Sequence, residues 1–240
     1  MSKERVDVLL VARGLCDSRE MAKRLVMAGE VMVGTERVTK ASVKVPADAE
    51  LSVKEKPKFV GRGGFKLEGA LEHFGIDVTG WTCLDTGSST GGFTDCLLQR
   101  GAAKVHAVDV GTNQLVYKLR MDPRVIVKEK FNSRGLTVKD LGERVNIAVL
   151  DLSFISLTKV LPAVFGVLEE GGMVVALIKP QFELSKEEVG KGGIVRSGPL
   201  RQKAVHKIRD FVEASGRRWR GEMESPIQGT DGNVEYLGWF

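Results

Sequence analysis

Several residue types are scarce in this chain, and their scarcity excludes broad classes of protein. Its 240 residues include three cysteines, Cys16, Cys83 and Cys96, which are far apart and form no Cys-x-x-Cys pair. This argues against a disulfide framework and a cysteine-rich zinc site, and because the three histidines are isolated too, we expect no metal. No apolar run has the ~20 residues of a membrane-spanning helix, and the charged start leads into no apolar signal core. We therefore expect a cytoplasmic protein without a membrane segment.

What is present is the composition of an ordinary globular protein with a slight positive excess. Hydrophobic residues make up 42% and charged residues 28%, and the net charge is +5. The first 60 residues hold 12 basic and 9 acidic side chains, so over half of that charge lies in a quarter of the chain. A basic, proline-marked stretch ends this part: Lys54, Lys56, Pro57 and Lys58. It predicts a small domain over 1–58, a linker over 59–64 and a larger domain over 65–240.

The small domain has the pattern of two short helices followed by a small sheet. Ser18 is placed to cap a second helix, whose apolar stripe includes Ala22 and Leu25. The cationic side chains Arg19, Lys23 and Arg24 project away from that stripe. This pattern is open to two interpretations, a solvated helix face or a surface that binds phosphates.

The stretch from Arg5 to Leu15, together with the stretch from Ser18 to Gly34, resembles the S-four-like RNA-binding module of ribosomal proteins and RNA-modifying enzymes. The resemblance covers about residues 5–55. It implies an α+β domain that binds RNA. The residues expected to contact RNA are Arg5, Arg19, Lys23, Arg24 and, beside the module, Arg62.

From residue 80 the chain alternates between strand and helix patterns. Apolar strands are predicted at 82–86, 104–110, 125–130, 146–152 and 173–179, with a helix at 199–214 and strands near 218–224 and 233–240. This alternation predicts an α/β fold with a mostly parallel sheet and helices on both faces. Ligands of such folds bind at the carboxyl ends of the strands.

Two of these strand ends have the features of a nucleotide-type site. The first ends in Leu84-Asp85-Thr-Gly-Ser-Ser-Thr-Gly-Gly-Phe-Thr94, whose glycines let the backbone approach a ligand. It lacks the Gly-x-Gly-x-x-Gly pattern of dinucleotide sites. Asp109 ends the second strand, where it can accept hydrogen bonds from ribose hydroxyls or cap the next helix. These features fit either a nicotinamide cofactor or S-adenosylmethionine (SAM).

The segment from Asp85 to Thr94 resembles the SAM-binding loop of FtsJ-like RNA methyltransferases. The resemblance implies a Rossmann-like, seven-stranded sheet whose last two strands, joined by Gly229-Thr-Asp-Gly232, form a closing antiparallel hairpin. It also implies a set of SAM-binding residues: Asp85, Gly87, Ser88, Ser89, Gly91, Gly92, Phe93, Asp109, Asn132 and Asp151.

Four charged residues lie at strand ends or at the domain junction beside apolar neighbours: Lys66, Asp151, Lys179 and Glu235. Charges are rarely buried unless they are paired, so a structural ion-pair network is one explanation. Their order and flanking residues resemble the Lys-Asp-Lys-Glu tetrad of ribose 2'-O-methyltransferases. That resemblance implies Lys179 as the base or activator of the hydroxyl, Lys66 as its cationic partner, and Asp151 and Glu235 as orienting groups.

Other methyl-transfer chemistries have less support. None of the cysteines adjoins a proline, as the nucleophile of cytosine C5 methylation typically does. The sequence Asp151-Leu-Ser-Phe154 lacks the two prolines typical of enzymes that methylate exocyclic amines. Phe154 is expected either in the core or stacked on a flipped base. The glycine-rich segment 190–196 is either a mobile lip over RNA or a plain loop.

Taken together, these motifs are similar to the bacterial TlyA family over essentially the entire chain. The resemblance implies a SAM-dependent rRNA (cytidine-2'-O)-methyltransferase that acts on ribosomal RNA or ribosomal particles. Two alternatives remain: a membrane-active, haemolysin-like protein, and a non-catalytic ribosome-binding factor.

Overall fold

The computed structural model describes residues 2–54, 57–229 and 231–240, which form two compact units. The first unit ends at Lys58 and the second runs from Phe59 to Phe240. Lys56 of the basic, proline-marked stretch and Thr230 of the predicted hairpin loop lie outside the described residues.

The first unit is a small α+β domain. Its elements are β1 (Lys3–Arg5), α1 (Val6–Ala12), α2 (Arg19–Met27), β2 (Val31–Val33), β3 (Glu36–Arg37), β4 (Lys44–Pro46) and β5 (Leu51–Val53). Ser18 caps α2 as predicted, because its hydroxyl accepts a hydrogen bond from the Met21 N–H at 3.2 Å. Leu10 and Val26 from the two helices pack with Val31 in one apolar core. The cationic side chains of α2 are therefore left on its outer side.

A seven-stranded sheet forms the centre of the second unit. Its strands are β6 (Thr82–Thr86), β7 (Lys104–Val108), β8 (Val125–Lys128), β9 (Val145–Leu150), β10 (Leu168–Ile178), β11 (Gly221–Glu224) and β12 (Tyr236–Trp239). They are arranged in the order β11-β12-β10-β9-β6-β7-β8. β6 to β10 pair in parallel, whereas β12 is antiparallel to both β10 and β11. The predicted mostly parallel sheet with a closing antiparallel hairpin is confirmed.

Helices cover both faces of this sheet. They are α3 (Gly63–Phe74), α4 (Gly92–Gln99), α5 (Tyr117–Arg120), α6 (Val138–Leu141), α7 (Leu161–Val167), α8 (Pro180–Glu183) and α9 (Gly198–Ala214). Successive residues of β9 point to opposite faces, so Val149 packs in the core beneath α3 and α4, and Leu150 packs in the core beneath α7 and α9. Because β7 ends at Val108 and β9 at Leu150, Asp109 and Asp151 come directly after these strands.

Residues 59–64 differ from the predicted linker. Phe59 is 2% exposed and belongs to the core of the second unit, and the Val60 N–H donates to Asp95 at 2.8 Å. A Cβ on Gly64 would lie 2.3 Å from the Phe59 ring, so the glycine permits this close packing. Gly61 and Gly64, which suggested a connector, instead allow a closely packed approach to α3.

Candidate active site

The glycine-rich loop after β6 packs directly against the end of β9. Gly87 has a φ of +85°, and a Cβ there would lie 2.4 Å from the carbonyl oxygen of Asp151. Gly91, with a φ of +101°, precedes α4, and a Cβ on it would collide with Leu119. Other residue types would strain both positions. The loop therefore reaches its position because these two residues are glycines.

Asp109 fixes this loop from the neighbouring strand. One carboxylate oxygen accepts from the Ser89 N–H at 2.8 Å, and the other accepts from the Gly111 N–H at 2.6 Å. Asp109, which was predicted to accept hydrogen bonds from ribose hydroxyls, thus also accepts hydrogen bonds from two backbone N–H groups. Each oxygen still has a second lone pair, and the side chain lines the cleft described next.

A cleft of about 650 Å³ lies at the carboxyl ends of β6, β7 and β9. Five of the predicted SAM-binding residues line it: Gly87, Ser89, Asp109, Asn132 and Asp151. Ser88, Gly92 and Phe93 line a smaller adjoining cavity. The Asn132 side-chain oxygen already accepts from the Arg134 backbone N–H at 3.1 Å. Its amide group therefore remains as the donor that can face a ligand.

Asp85 and Gly91 line neither cavity, in contrast to the prediction for both. Asp85 is fully buried beneath the loop, and one of its oxygens accepts from the Thr94 hydroxyl at 2.6 Å. Burial raises the pKa of Asp85 to about 7. Its position is suited to supporting the loop and not to touching a ligand.

The four charged residues predicted as a tetrad surround one further cavity, of about 480 Å³. Lys66 lies on α3, Asp151 after β9, Lys179 after β10, and Glu235 immediately before β12. The walls of this cavity and of the 650 Å³ cleft share Gly87, Ser89, Asp151, Ser153 and Phe154. The two cavities are therefore adjacent, with the glycine loop and the turn after β9 between them.

The lysines of this cavity pair with carboxylates, whereas Lys66 was predicted as the partner of Lys179. The Lys66 ammonium lies 2.5 Å from the Glu235 carboxylate, and both side chains are nearly buried. The Lys179 ammonium lies 2.6 Å from Asp151 and donates to the Ser153 hydroxyl at 3.0 Å. In a low dielectric, opposite charges attract each other strongly and like charges repel each other strongly. Each lysine is therefore more stable beside a carboxylate than beside the other lysine. The arrangement is two ion pairs that face one cavity.

Phe154 lies on the surface and not in the core. It is 91% exposed, and its ring centroid lies 5.1 Å from that of Phe182. Its φ of +63° is unusual for a bulky residue. Sequence reasoning missed its neighbour Ser153, and also Gln181 and Phe182, which line the same cavity. Their positions directly after Asp151 and Lys179 at strand ends were the available signal.

The predicted RNA-binding residues fall into three environments. Lys23 and Arg24 are exposed on α2. Arg5 and Arg19 both contact the buried Asp7, at 2.9 and 3.1 Å, and the hydrogen bond from Arg5 is the main cause that lowers the pKa of Asp7 to about 2. Arg62, in the second unit, lines the tetrad cavity and donates to the Gln228 carbonyl at 2.8 Å.

Neither a membrane-spanning helix nor a metal-binding cluster is found in the part of the chain that the structure describes. Within 2–54, 57–229 and 231–240, no helix is long and apolar enough to cross a bilayer. The same ranges contain no group of three or more histidine, cysteine or acidic side chains placed to hold a metal ion.

The 650 Å³ cleft fits a nucleoside-containing cofactor. It combines the Asp109 carboxylate and the Asn132 amide with apolar walls that include Val110, Ile155 and Val160. Carboxylates suit ribose hydroxyls, and apolar walls suit an adenine ring. With the antiparallel β12 inserted next to β10, the sheet and the cleft define a Rossmann-type methyltransferase with SAM as its cofactor.

Comparison with known proteins identifies the particular family. Residues 59–240 match the FtsJ-like methyltransferase model and residues 4–51 match the S4 domain. The chain is 46% identical over 240 residues to TlyA of Mycobacterium tuberculosis, a 16S/23S rRNA (cytidine-2'-O)-methyltransferase, covering 99% of this chain and 90% of the relative. It is 43% identical over 237 residues to hemolysin A of Brachyspira hyodysenteriae, covering 98% and 99%.

A solved structure agrees with these relatives. It is the structure of a Streptococcus thermophilus protein provisionally named a hemolysin, and its sequence is 47% identical to that of this chain. The two structures match with a TM-score of 0.75 over 100% of this chain and 88% of the other. The present chain belongs to the TlyA group of the FtsJ-like methyltransferase family and carries an S4 domain. The family and fold predicted from the motifs are thereby confirmed.

Proposed function

We propose that this protein transfers the methyl group of SAM to the ribose 2'-hydroxyl of a cytidine in ribosomal RNA. The observation that carries the proposal is the pair of lysine–carboxylate contacts, Lys66 with Glu235 and Lys179 with Asp151, around one cavity beside the nucleoside cleft. The activity for which the M. tuberculosis relative is named supports cytidine in rRNA as the substrate. We also propose a cytoplasmic location, which an rRNA substrate supports.

The cofactor is proposed to bind in the 650 Å³ cleft. Asp109 would accept hydrogen bonds from its ribose, Asn132 would donate to its adenine, and the backbone of the Gly87–Ser89 turn would lie against its amino-acid end. When bound there, SAM supplies an electrophilic methyl group on a sulfonium. Asp151 and Ser153, which line both cavities, mark the boundary at which transfer would occur.

The tetrad is proposed to hold and activate the hydroxyl. A ribose hydroxyl is a weak nucleophile, so its oxygen must be oriented and its proton removed or polarised. Lys179, held by Asp151 and Ser153, has one N–H left that would stabilise negative charge growing on that oxygen. As the new C–O bond forms, the methyl–sulfur bond would break, S-adenosylhomocysteine would leave, and the hydroxyl proton would pass to solvent. Lys66 and Glu235 form the opposite wall, where the carboxylate can accept a hydrogen bond from the sugar. Exposed Phe154 offers a face on which the base can stack.

The S4 domain is proposed to supply RNA affinity. Lys23 and Arg24 are exposed on one helix, and Asp7 orients Arg5 and Arg19. Cationic side chains on a rigid helix bind phosphates through counterion release, which makes the affinity salt-dependent. These contacts position RNA without selecting its sequence.

The proposal is tested by incubating the protein with methyl-labelled SAM and free rRNA, separate ribosomal subunits or whole ribosomes. We expect label in RNA from at least one of these substrates. Binding of SAM without labelling of any of them would contradict the enzymatic assignment and would leave a non-catalytic ribosome-binding factor. Dye release from phospholipid vesicles, measured with the same preparation, tests the haemolytic alternative, for which we expect no dose-dependent leakage.

A further inference from the structure

Glu183 is a buried acid that the proposed chemistry does not use. It is the last residue of α8, four positions after Lys179, and it is 5% exposed. It lines neither the 650 Å³ cleft proposed to bind SAM, called the SAM cleft below, nor the 480 Å³ cavity of the tetrad, called the tetrad cavity. A buried carboxylate requires strong partners, so its contacts show what it holds in place.

The partners of Glu183 come from two other segments of the chain. Its carboxylate accepts from the Ser156 hydroxyl at 2.5 Å and from the Leu157 backbone N–H at 2.7 Å. Lys207 of α9 contacts the same carboxylate at 3.1 Å and donates to the Glu183 carbonyl at 2.6 Å. We call this set of contacts the Glu183 anchor. It joins the helix after Lys179 to the chain that follows Asp151.

The turn held by this anchor is strained. At its start, the Asp151 N–H donates to the Thr86 carbonyl at 3.1 Å, and at its end Ser156 and Leu157 bind Glu183. Between these points Phe154 adopts a φ of +63°, in the left-handed region that bulky residues avoid. Such conformations persist only where the surrounding structure fixes them on both sides.

The same turn forms part of both cavities. Ser153, which accepts the hydrogen bond from Lys179, and the exposed ring of Phe154 each line the SAM cleft and the tetrad cavity. Relaxation of the turn would therefore move a wall of the cofactor site and a partner of Lys179 together. A 1 Å misplacement of such groups can lower a rate by about 100-fold.

We propose that Glu183 is a positioning residue that holds the 151–157 turn in its strained form. In this way it keeps the walls of the cofactor cavity and of the substrate cavity in the correct positions relative to each other. The consequence for catalysis rests on the proposed methyltransferase function. The consequences for the turn and for SAM affinity do not depend on which RNA is methylated.

The test uses the full chain with Glu183→Ala and Glu183→Gln, and Glu222→Gln as the matched control. Glu222 is a carboxylate bound by Arg209 of the same helix α9, at 2.7 and 2.9 Å, and it lines neither cavity. The measurements are hydrogen–deuterium exchange of peptides over 151–157 without cofactor, the Kd for SAM by calorimetry, and kcat and KM with rRNA. Lys207→Met is a milder variant that keeps the carboxylate.

We expect Glu183→Ala to speed exchange in the turn, to weaken SAM binding about tenfold or more, and to lower kcat/KM about 100-fold. Glu183→Gln, which keeps an acceptor for Leu157, should fall between Glu183→Ala and wild type, and Glu222→Gln should match wild type. Exchange and SAM affinity within twofold of wild type in the Glu183 variants, or equal changes in Glu222→Gln, would overturn the proposal. If Glu183→Ala does not fold, Glu183→Gln and Lys207→Met decide by the same criteria. An inactive wild type refutes the function and leaves exchange and affinity to judge the anchor.

Discussion

At the scale of single residues, the tetrad cavity depends on which charge contacts which. Lys66 and Glu235 are 169 positions apart in the chain yet touch, and Lys179 is held by Asp151 and Ser153. Removing one partner of a buried pair leaves the other charge uncompensated, which is strongly destabilising. Substitutions in the tetrad therefore need a binding or stability measurement beside the activity assay.

The first prediction concerns Lys179. Lys179→Ala removes the proposed activator of the hydroxyl, and positioned proton-transfer or activating groups contribute about 10²- to 10⁴-fold to a rate. We expect kcat for RNA methylation to fall by a factor in that range while the Kd for SAM stays within a few-fold. Lys186→Ala, at an exposed lysine of the following loop, is the control and should match wild type. Full methylation by Lys179→Ala would exclude the assigned role.

The second prediction concerns Asp85, because burial raises its pKa to about 7 from an ordinary value of 3.8. Between these values the folded protein keeps a proton that the unfolded chain releases, so this residue makes stability fall as pH rises. Asp85→Asn carries no such charge. The Tm of Asp85→Asn minus the Tm of wild type should therefore increase from about pH 4 to about pH 7 and then level off.

The control for this titration is Asp210→Asn, at an exposed carboxylate on α9. Its Tm difference from wild type should stay nearly constant over the same range. A Tm difference between Asp85→Asn and wild type that does not change with pH would show that folding does not raise the pKa of Asp85.

At the scale of elements, the strands were predictable and the side-chain pairings were not. Period and composition located all seven strands of the sheet. The five parallel strands were the clearest, because buried parallel strands are continuous apolar runs. The predicted ends were two residues late at β7, β8 and β9. The side chains of Asp109 and Asp151, directly after β7 and β9, bind other groups. The packed course of 59–64 was also missed, because burial of Phe59 depends on contacts far along the chain.

The candidate site, like the fold, was predictable from the sequence only in part. Motif resemblance selected the tetrad and five of the residues that line the SAM cleft, and topology alone places strand ends together. It could not show that Lys66 pairs with Glu235, that Asp85 lies beneath the loop, or that Glu183 ties the turn after Asp151 to α9. Those contacts join segments whose proximity exists only once the sheet has formed.

The third prediction belongs to helix α2. Lys23→Ala and Arg24→Ala each remove an exposed cation proposed to contact phosphate, so each should weaken rRNA binding and reduce the slope of log Kd against log salt by about one. Binding should be measured at several salt concentrations, and SAM affinity should stay unchanged. Lys186→Ala again serves as the control. An unchanged salt slope in both α2 variants would remove this helix face from the RNA-binding surface.

At the scale of the whole molecule, composition and structure agree on a division of tasks. More than half of the net charge of +5 lies in the first quarter of the chain, where the S4 domain is found. The larger unit is close to neutral, and two of its lysines are paired with carboxylates at the proposed reaction centre. A modest total charge is therefore compatible with an RNA-binding domain joined to a methyltransferase.

Nucleoside analysis is the sharpest test of ribose 2'-O-methylation by this protein. Ribosomal RNA treated with SAM and the protein is digested to nucleosides and analysed by mass spectrometry, with Lys179→Ala as the inactive reference. We expect newly formed 2'-O-methylcytidine with wild type and little with the variant. A base-methylated nucleoside, or equal 2'-O-methylcytidine from both proteins, would contradict it.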